Sequence, residues 1–338
     1  MIYLGSLGTV LSAMMISLCE EFWEFMLVQG LLFGMSMTLA YTPVLGVIGQ
    51  YFKRRRAAAM GIVISGSSLG GVIWPIMLQK LLYNPKIGFA WTLRIVGFMM
   101  LPLLAMTCLL VKPPVPNSTA IIDQTTEREK AGEMPERPVL KLRVGFGQLK
   151  NPTTLLTCSA FFFIYFGIFT PLFFTASFAQ AKRFSEDLSF YTISIMNAAS
   201  LIGRILPGFF ADSYGRFNTC VLMTLFSGII ALCWSTVQSV AGLVLFSLAY
   251  GFSSGAIMSL QQACAAQIST PQTLGMTIGT VMASASLSGL AGIPISGQLA
   301  GKYGYLSLSI YAGVSLIIGG TLLAAARFKQ EKSLWAVI

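Results

Sequence analysis

Arg204 lies inside an apolar stretch that begins near Leu188 and meets no other charged residue before Asp212. A guanidinium at the centre of a membrane-spanning helix costs about 2.5–3.5 kcal/mol on insertion scales, so it needs acceptors or an aqueous cavity. The twelve acidic residues fall in predicted loops, a linker and a tail, or, for Asp212, at a helix end. A planar guanidinium holds a carboxylate through two parallel hydrogen bonds. We therefore expect Arg204 to bind the carboxylate of a solute.

Two neutral polar residues share the helix face that carries Arg204. Ser200 precedes it by four residues and Asn197 by seven, and both spacings return to the same side of an α-helix. Together with Arg204, these side chains are candidates for contacting a polar substrate. The alternative is that Arg204 donates to backbone carbonyls of a broken helix or extends to the membrane interface.

The end of the same stretch has a spacing typical of a conformational latch. Gly208, Asp212, Gly215 and Arg216 place an acid at the end of one helix, a glycine turn, and a basic residue at the start of the next. A carboxylate is stabilised by the positive N-terminal end of a neighbouring helix, and glycine permits a tight turn. The alternative is an ordinary polar turn between two helices.

Residue types that serve catalysis and metal binding are scarce. The chain has no histidine, and its six cysteines are scattered in or beside apolar stretches without a Cys-x-x-Cys spacing. No Gly-x-x-x-x-Gly-Lys phosphate loop occurs, and the stretch GSSLGG lies within a predicted helix without an adjacent base. The sequence therefore predicts no enzyme activity, no metal site, no cofactor and no use of ATP.

The elements that position these residues are apolar helices. Hydrophobic residues make up 55% of the 338-residue chain and charged residues 10%, a composition typical of an all-α membrane protein. About 20 apolar residues span the hydrocarbon core. The sequence offers ten such stretches, which are 2–19, 25–50, 57–82, 89–111, 154–178, 188–211, 217–237, 240–264, 274–298 and 304–326.

The distribution of basic residues predicts the orientation in the membrane. Fifteen of the 22 Lys and Arg residues, Arg55 and Arg56 among them, fall on the side that also carries both termini. By the positive-inside rule that side is cytosolic. The formal charge of +10 is therefore assigned to lipid headgroups and topology, with no nucleic-acid partner. We expect an integral multi-pass protein of the plasma membrane with both termini in the cytosol.

A polar segment divides the spans four to six. Residues 112–150 carry mixed charge and several prolines, which indicates a cytosolic linker between residues 1–111 and 151–330, with a tail at 331–338. The stretches SSLGGVIWP, from Ser67, and SLSGLAGIP, from Ser286, suggest an internal repeat. The repeat lies in the third span of one half and the fifth of the other. The first half is therefore expected to be incomplete, lacking two helices at its start.

Three stretches resemble a known family of membrane proteins. Gly208, Asp212, Gly215 and Arg216 resemble the loop signature between the eighth and ninth helices of the major facilitator superfamily. The stretch YFKRRRAAAMGIVISGSSLGG, from Tyr51, resembles the fifth helix of its monocarboxylate transporter branch. FIYFGIFTPLFF, from Phe163, resembles the seventh helix of that branch. The resemblance covers essentially the whole chain as helices three to twelve.

The resemblance implies a helical bundle of two pseudo-repeated halves that exposes a central site alternately to each side of the membrane. It assigns Arg204 to the substrate carboxylate, and it assigns Ser67 and Arg56 to the pathway in the fifth helix. Arg55 and Arg56 are the basic residues of the expected cytosolic gate. Animal members of the branch carry a proton-coupling carboxylate one turn before the arginine, where this chain has Ser200.

The aromatic-rich span 154–178 contributes one further candidate. Most of its phenylalanines are expected to pack against lipid or neighbouring helices. Tyr165 is the exception, since its hydroxyl requires a hydrogen-bond partner, and it is the candidate to contact substrate.

The sequence thus predicts a secondary carrier of a small organic anion, most simply a monocarboxylate symporter, with the bilayer and an organic acid as partners. A coupling proton and an accessory membrane subunit are left open. The alternatives are a carrier of a neutral or bulky metabolite and a truncated, transport-inactive interaction subunit.

Overall fold

The computed structural model describes residues 1–52, 55–82, 84, 86–112, 151–270 and 273–331, without the side chains of residues 49, 50, 56 and 79. These residues fold into helices and contain no β-strand. The helices are α1 (Ile2–Ile16), α2 (Phe22–Phe25), α3 (Gly34–Tyr51), α4 (Arg56–Leu82), α5 (Gly88–Leu110), α6 (Pro152–Ala181), α7 (Glu186–Tyr214), α8 (Arg216–Cys233), α9 (Val240–Gln267) and α10 (Leu274–Gln330).

The structure adds two local details to the predicted spans. A π-helical segment, Met26–Phe33, joins α2 to α3, so the second predicted span is one helical run. The last two predicted spans form the two helical arms of the 57-residue α10, which meet at a kink at Gly304, where the backbone is not helical and φ is 74°. At about 1.5 Å per residue such a helix is far longer than the hydrocarbon core is thick, so its two arms count as separate segments.

Hydrophobic length agrees with a polytopic membrane protein. Eight helices among the described residues are long and apolar enough to cross a membrane, and Ile2–Ile16 is a shorter apolar helix. When the two arms of α10 are counted separately, the described residues contain the ten predicted apolar segments.

Side-chain caps explain where several helices begin. The Asn151 side chain accepts a hydrogen bond from the Thr153 N–H at 3.0 Å, one residue before the proline that opens α6. Ser185 caps α7 by accepting from the Leu188 N–H at 3.3 Å, and Ser239 caps α9 by accepting from the Gly242 N–H at 3.1 Å. Such caps satisfy backbone donors that have no partner within the helix.

Packing groups the helices into two compact units. The described residues of the first unit lie within Met1–Tyr51 and Phe89–Gly147, and those of the second within Phe52–Gly88 and Gln148–Ile338. The packing units therefore differ from the division along the sequence, because α4 packs with the helices that follow residue 150. The predicted division into 1–111, 112–150 and 151–330 rests on the repeat and stays a prediction, and residues 113–150 of the linker lie outside the described residues.

Within the first unit, polar contacts join α5 to the first helix and the residue that follows it. The Tyr3 hydroxyl donates to the Cys108 carbonyl at 3.2 Å. The Arg94 Nε donates to the Ser17 hydroxyl at 3.3 Å, beside the Trp91 ring. These bonds satisfy polar groups on helices whose other faces are mostly apolar and exposed.

The second unit holds α7 between α4 and α9 through glycines. A Cβ atom at Gly61 of α4 would overlap the carbonyl oxygen of Arg204. On the opposite side, a Cβ at Gly203 would overlap the carbonyl of Phe252, and one at Gly251 would overlap the carbonyl of Met196. Small residues allow helix backbones to approach this closely in membrane proteins. The backbone around Arg204 is therefore fixed from two sides.

Candidate functional site

Arg204 is buried in the second unit, with 7% of the residue exposed. Its Nη1 donates to the Ile64 carbonyl of α4 at 2.8 Å and also contacts the Ser67 hydroxyl oxygen. Its Nη2 lies 3.4 Å from the sulfur of Met258 on α9. These three acceptors are neutral, and two belong to the helix that the resemblance assigns to the pathway. The guanidinium thus joins α7 to both of its neighbours.

Ser67 differs from Arg204 in its exposure. Ser67 is exposed, whereas the guanidinium that contacts its hydroxyl belongs to a buried residue. The same hydroxyl donates to the Ile64 carbonyl at 3.0 Å. A polar solute that reaches Ser67 is therefore one side chain away from the positive charge.

Ser200 lies on the same face of α7 and is buried, with 5% exposed. Its hydroxyl accepts a hydrogen bond from Ser68 of α4 at 3.2 Å. Position 200 therefore forms a neutral contact between helices. A serine hydroxyl does not titrate in the physiological range, so this position does not supply the carboxylate found in the resembling branch.

Asn197 is half-buried and points towards α4. Its amide nitrogen donates to the Ile193 carbonyl at 2.9 Å. Its side-chain oxygen fills the space beside Gly71, where a Cβ atom would overlap it. The structure therefore places Asn197 at the contact between α4 and α7, and its role as a substrate ligand stays a prediction.

Tyr165 contacts α9 in the second unit. Its hydroxyl donates to the Oε1 of Gln261 at 2.5 Å. Gln261 follows Met258 by three residues, which places the two side chains on neighbouring positions of one helix face. The structure thus connects Tyr165 and Arg204 to the same stretch of α9. Its role in binding substrate stays a prediction.

The four residues of the predicted latch lie where α7 meets α8: Gly208 and Asp212 belong to α7, Gly215 separates the two helices, and Arg216 begins α8. The two carboxylate oxygens of Asp212 accept from the Ala57 and Ala58 N–H groups at 3.2 and 3.0 Å. Asp212 therefore lies at the N-terminus of α4, where a negative charge is stabilised. Arg216 lies 3.5 Å from Asp212. A role in switching between conformations stays a prediction.

Gly208 and Gly215 are each required for a different structural reason. Gly215 has φ of 98°, a backbone conformation that favours glycine, and it separates α7 from α8. A Cβ atom at Gly208 would lie 2.9 Å from the Ala57 carbonyl oxygen, so the missing side chain allows α7 to approach α4.

The two arginines of the predicted gate are only partly described. Arg55 is exposed and its carbonyl accepts from the Ala59 N–H at 3.1 Å. Arg56 begins α4, and its side chain lies outside the described residues. Their roles in topology and gating stay predictions.

The sequence did not identify three contacts of the site, although donation to a backbone carbonyl was the stated alternative for Arg204. The Ile64 carbonyl, Ser68 and Met258 are brought to α7 by packing, and no local pattern marks them. Within the described residues, no group of three or more His, Cys, Asp or Glu side chains is arranged to hold a metal ion.

Comparison with known proteins agrees with this architecture. The model of the Major Facilitator Superfamily matches residues 1–262 and 208–337. An MFS-type transporter of Aspergillus fumigatus is 40% identical over 97% of this chain and 76% of that protein. The agnestins efflux protein of Paecilomyces divaricatus is 40% identical over 99% of this chain and 72% of that protein.

A solved structure shows the same fold. The human organic anion transporter MFSD10 superposes with a TM-score of 0.68, at 16% identity, over 95% of this chain and 76% of that chain. Together, the apolar helices, the extent of the family match and the sequence identity identify this chain as a member of the Major Facilitator Superfamily, a family of transmembrane transporters.

Proposed function

We propose that this transporter moves a small organic anion by alternating access and that Arg204 binds its anionic group. A monocarboxylate is the simplest such substrate, since one guanidinium matches one carboxylate. The contact between the buried Arg204 and the exposed residue Ser67 carries the proposal. An arginine is charged at all physiological pH values and only donates hydrogen bonds, so an anion that reaches Ser67 gains a charge-assisted contact.

Similarity to a named efflux protein supports export as the direction of transport. The agnestins efflux protein is 40% identical to this chain. We propose export of an acidic metabolite from the cytosol across the plasma membrane. Because Ser200 does not titrate, proton coupling is not assigned to position 200 in this proposal.

The experiment is uptake of radiolabelled benzoate into proteoliposomes loaded with unlabelled benzoate, which measures exchange without a driving ion. We expect Arg204→Ala to lower the affinity for benzoate about 10- to 100-fold, since hydrogen bonds to charged groups contribute about 1.5–3 kcal/mol. The affinity of Arg204→Lys for benzoate should lie between those of the wild type and Arg204→Ala, because lysine keeps the charge and loses the planar pair of donors. The exposed Arg183→Gln is the matched control and should exchange benzoate like the wild type.

Equal exchange by wild type and Arg204→Ala would contradict the assignment of Arg204. Absence of benzoate exchange in the wild type, with the protein correctly folded, would favour the other classes of function.

A carrier of a neutral metabolite is the second candidate. It is favoured by the neutral contacts of the site, in which Ser200 meets Ser68 and Asn197 meets the backbone of α7. Methyl benzoate, the neutral ester, separates the two candidates. It crosses bilayers unaided, so its binding to the purified protein is measured by calorimetry and its transport is not. Binding that is equal in wild type and Arg204→Ala, and tighter than that of benzoate, would support the neutral substrate.

A further inference from the structure

A second group of polar side chains lies on α9, away from Arg204. Gln261 is fully buried and Gln262 is 2% exposed. Both belong to the second unit, on a helix that is otherwise mostly apolar and small at this level. Glutamine amides each offer two donors and two acceptor sites, so full burial requires several partners.

The partners within the described residues satisfy only part of this requirement. Gln261 Oε1 accepts from Tyr165, whereas Gln261 Nε2 has no hydrogen-bond partner among the described residues. Gln262 Nε2 lies 3.6 Å from the sulfur of Met282, a weak acceptor, and Gln262 Oε1 has no partner in the same part of the chain. Turning the Gln261 amide would exchange its two ends, yet Tyr165 would still engage only one of them. Buried polar atoms without partners are rare and call for a physical reason.

The position of the two glutamines relates them to Arg204. Met258, which contacts Arg204, precedes Gln261 by three residues and Gln262 by four. Both spacings make them neighbours of Met258 on the helix surface. The backbone positions of the two glutamines are therefore about one helical turn, ~5.4 Å along α9, from that of Met258.

The unpartnered atoms are complementary in type. Gln261 Nε2 is a donor and Gln262 Oε1 is an acceptor. A ligand group that carries one acceptor and one donor, such as an amide or a hydroxy ketone, offers a partner of the right type to either atom. A purely apolar group would leave both unsatisfied, which is a strong means of rejecting it.

We propose that Gln261 and Gln262 form a neutral hydrogen-bonding subsite that binds an amide-like or hydroxy-carbonyl group of the transported anion. This rests on the proposed function, since the anionic end of the same compound is assigned to Arg204. The subsite selects compounds in which a carboxylate and such a group are separated by about one helical turn.

Two matched probes test the subsite. In 4-carbamoylbenzoate a para amide stands opposite the carboxylate, and in 4-isopropylbenzoate an apolar group of similar size takes its place. Binding of each to the purified full chain in detergent is measured by calorimetry. We expect the wild type to bind the amide about 5- to 10-fold more tightly than the isopropyl compound. Gln261→Leu and Gln262→Leu should each remove most of that preference and leave binding of 4-isopropylbenzoate the same or tighter.

The controls separate this proposal from the proposed function. Gln180→Leu, at an exposed position of α6, should keep the wild-type preference. Arg204→Ala should weaken the binding of both probes. A ratio near one in the wild type, together with Arg204-dependent binding of both compounds, overturns the subsite and leaves the anion site standing. Failure of both probes to bind the wild type contradicts both proposals.

The melting temperature without ligand distinguishes a ligand-binding role of the two glutamines from a purely structural one, because the two roles predict different effects of Gln262→Leu. If bound water satisfies the two amides as part of the fold, Gln262→Leu lowers the melting temperature and leaves the ratio of affinities unchanged, which overturns the proposal. If the amide is kept for a ligand, replacing it by leucine leaves the melting temperature unchanged or raises it, because an unsatisfied buried polar atom is removed.

Discussion

At the scale of single residues, the environment of Arg204 combines burial with neutral acceptors. The Ile64 carbonyl, the Ser67 hydroxyl and the Met258 sulfur orient the guanidinium from two neighbouring helices. Such contacts fix the direction of the side chain, and none of these three acceptors carries a negative charge. We therefore expect a charged substitution near Arg204 to alter the affinity for substrate more than an uncharged substitution at the same position.

Ser200→Asp places a carboxylate one helical turn before Arg204. Residues four apart on a helix are neighbours, so the new carboxylate is expected to pair with the guanidinium and compete with a bound anion. We expect at least a tenfold weaker affinity for benzoate above pH 6, measured by calorimetry on the purified protein. Ser200→Ala, which removes the bond to Ser68 without adding charge, should bind within about twofold of the wild type. Wild-type affinity in Ser200→Asp would indicate that the anion does not approach Arg204.

The sequence was sufficient to select Arg204 and insufficient to identify its surroundings. An arginine in an apolar stretch is conspicuous because its burial is costly. Its partners Ile64 and Ser67 precede it by 140 and 137 residues, and only the resemblance to a family had pointed to Ser67. Met258 is one of 17 methionines, and nothing in its neighbourhood distinguishes it from a packing residue.

At the scale of elements, the position of Arg204 depends on how closely α7 approaches α4 and α9. Glycines at 61, 203 and 251 remove the side chains that would separate these helices. The contact between Asp212 and the start of α4 adds a polar attachment at one end of the same pair. The binding residue is therefore held by backbone contacts on both sides.

Gly203→Ala tests the contact between α7 and α9. The new methyl group would overlap the Phe252 carbonyl, so the helices must move apart. We expect the free energy of unfolding to fall by about 1–3 kcal/mol, as for other overpacked interiors, and the affinity for benzoate to fall with it. Thermal unfolding in detergent measures the first effect. Gly279→Ala on α10 is the matched control, because no atom outside its own helix segment lies within 4 Å of its added Cβ, and it should be neutral or stabilising.

Most helices could be predicted from apolar length, and two details could not. At Gly304 the backbone leaves the helical conformation, with φ of 74° and ψ of −174°, so a kink separates the last two predicted spans, and apolar length did not specify that geometry. The π-helical segment Met26–Phe33 has an apolar sequence that is equally compatible with an α-helix. Hydropathy indicates that a segment is long and apolar enough to cross the membrane, and it gives no information on kinks or on π-helical hydrogen bonding.

At the scale of the whole molecule, the family of the protein and its orientation in the membrane are supported by different observations. Membership follows from the family match and from the identity to curated relatives, which are longer than this chain. Orientation is a prediction from basic residues, fifteen of which fall on the side assigned to the cytosol. The monocarboxylate branch also stays a prediction.

Cysteine labelling of intact cells tests the orientation. In a variant without its six natural cysteines, Lys302→Cys lies at an exposed position predicted to face outwards, and Lys329→Cys at one predicted to face the cytosol. We expect a membrane-impermeant maleimide to label the first in intact cells and the second only after permeabilisation. The reverse pattern would show that the charge distribution does not set the topology of this chain.

The most direct measurement of the central claim is a structure of the purified protein with 4-iodobenzoate, whose iodine locates the ligand independently of its shape. We expect the carboxylate oxygens to lie about 3 Å from the Arg204 guanidinium and Ser67 to contact the same ligand. An ordered 4-iodobenzoate bound elsewhere in the transporter, with no contact to the Arg204 guanidinium, would contradict this expectation.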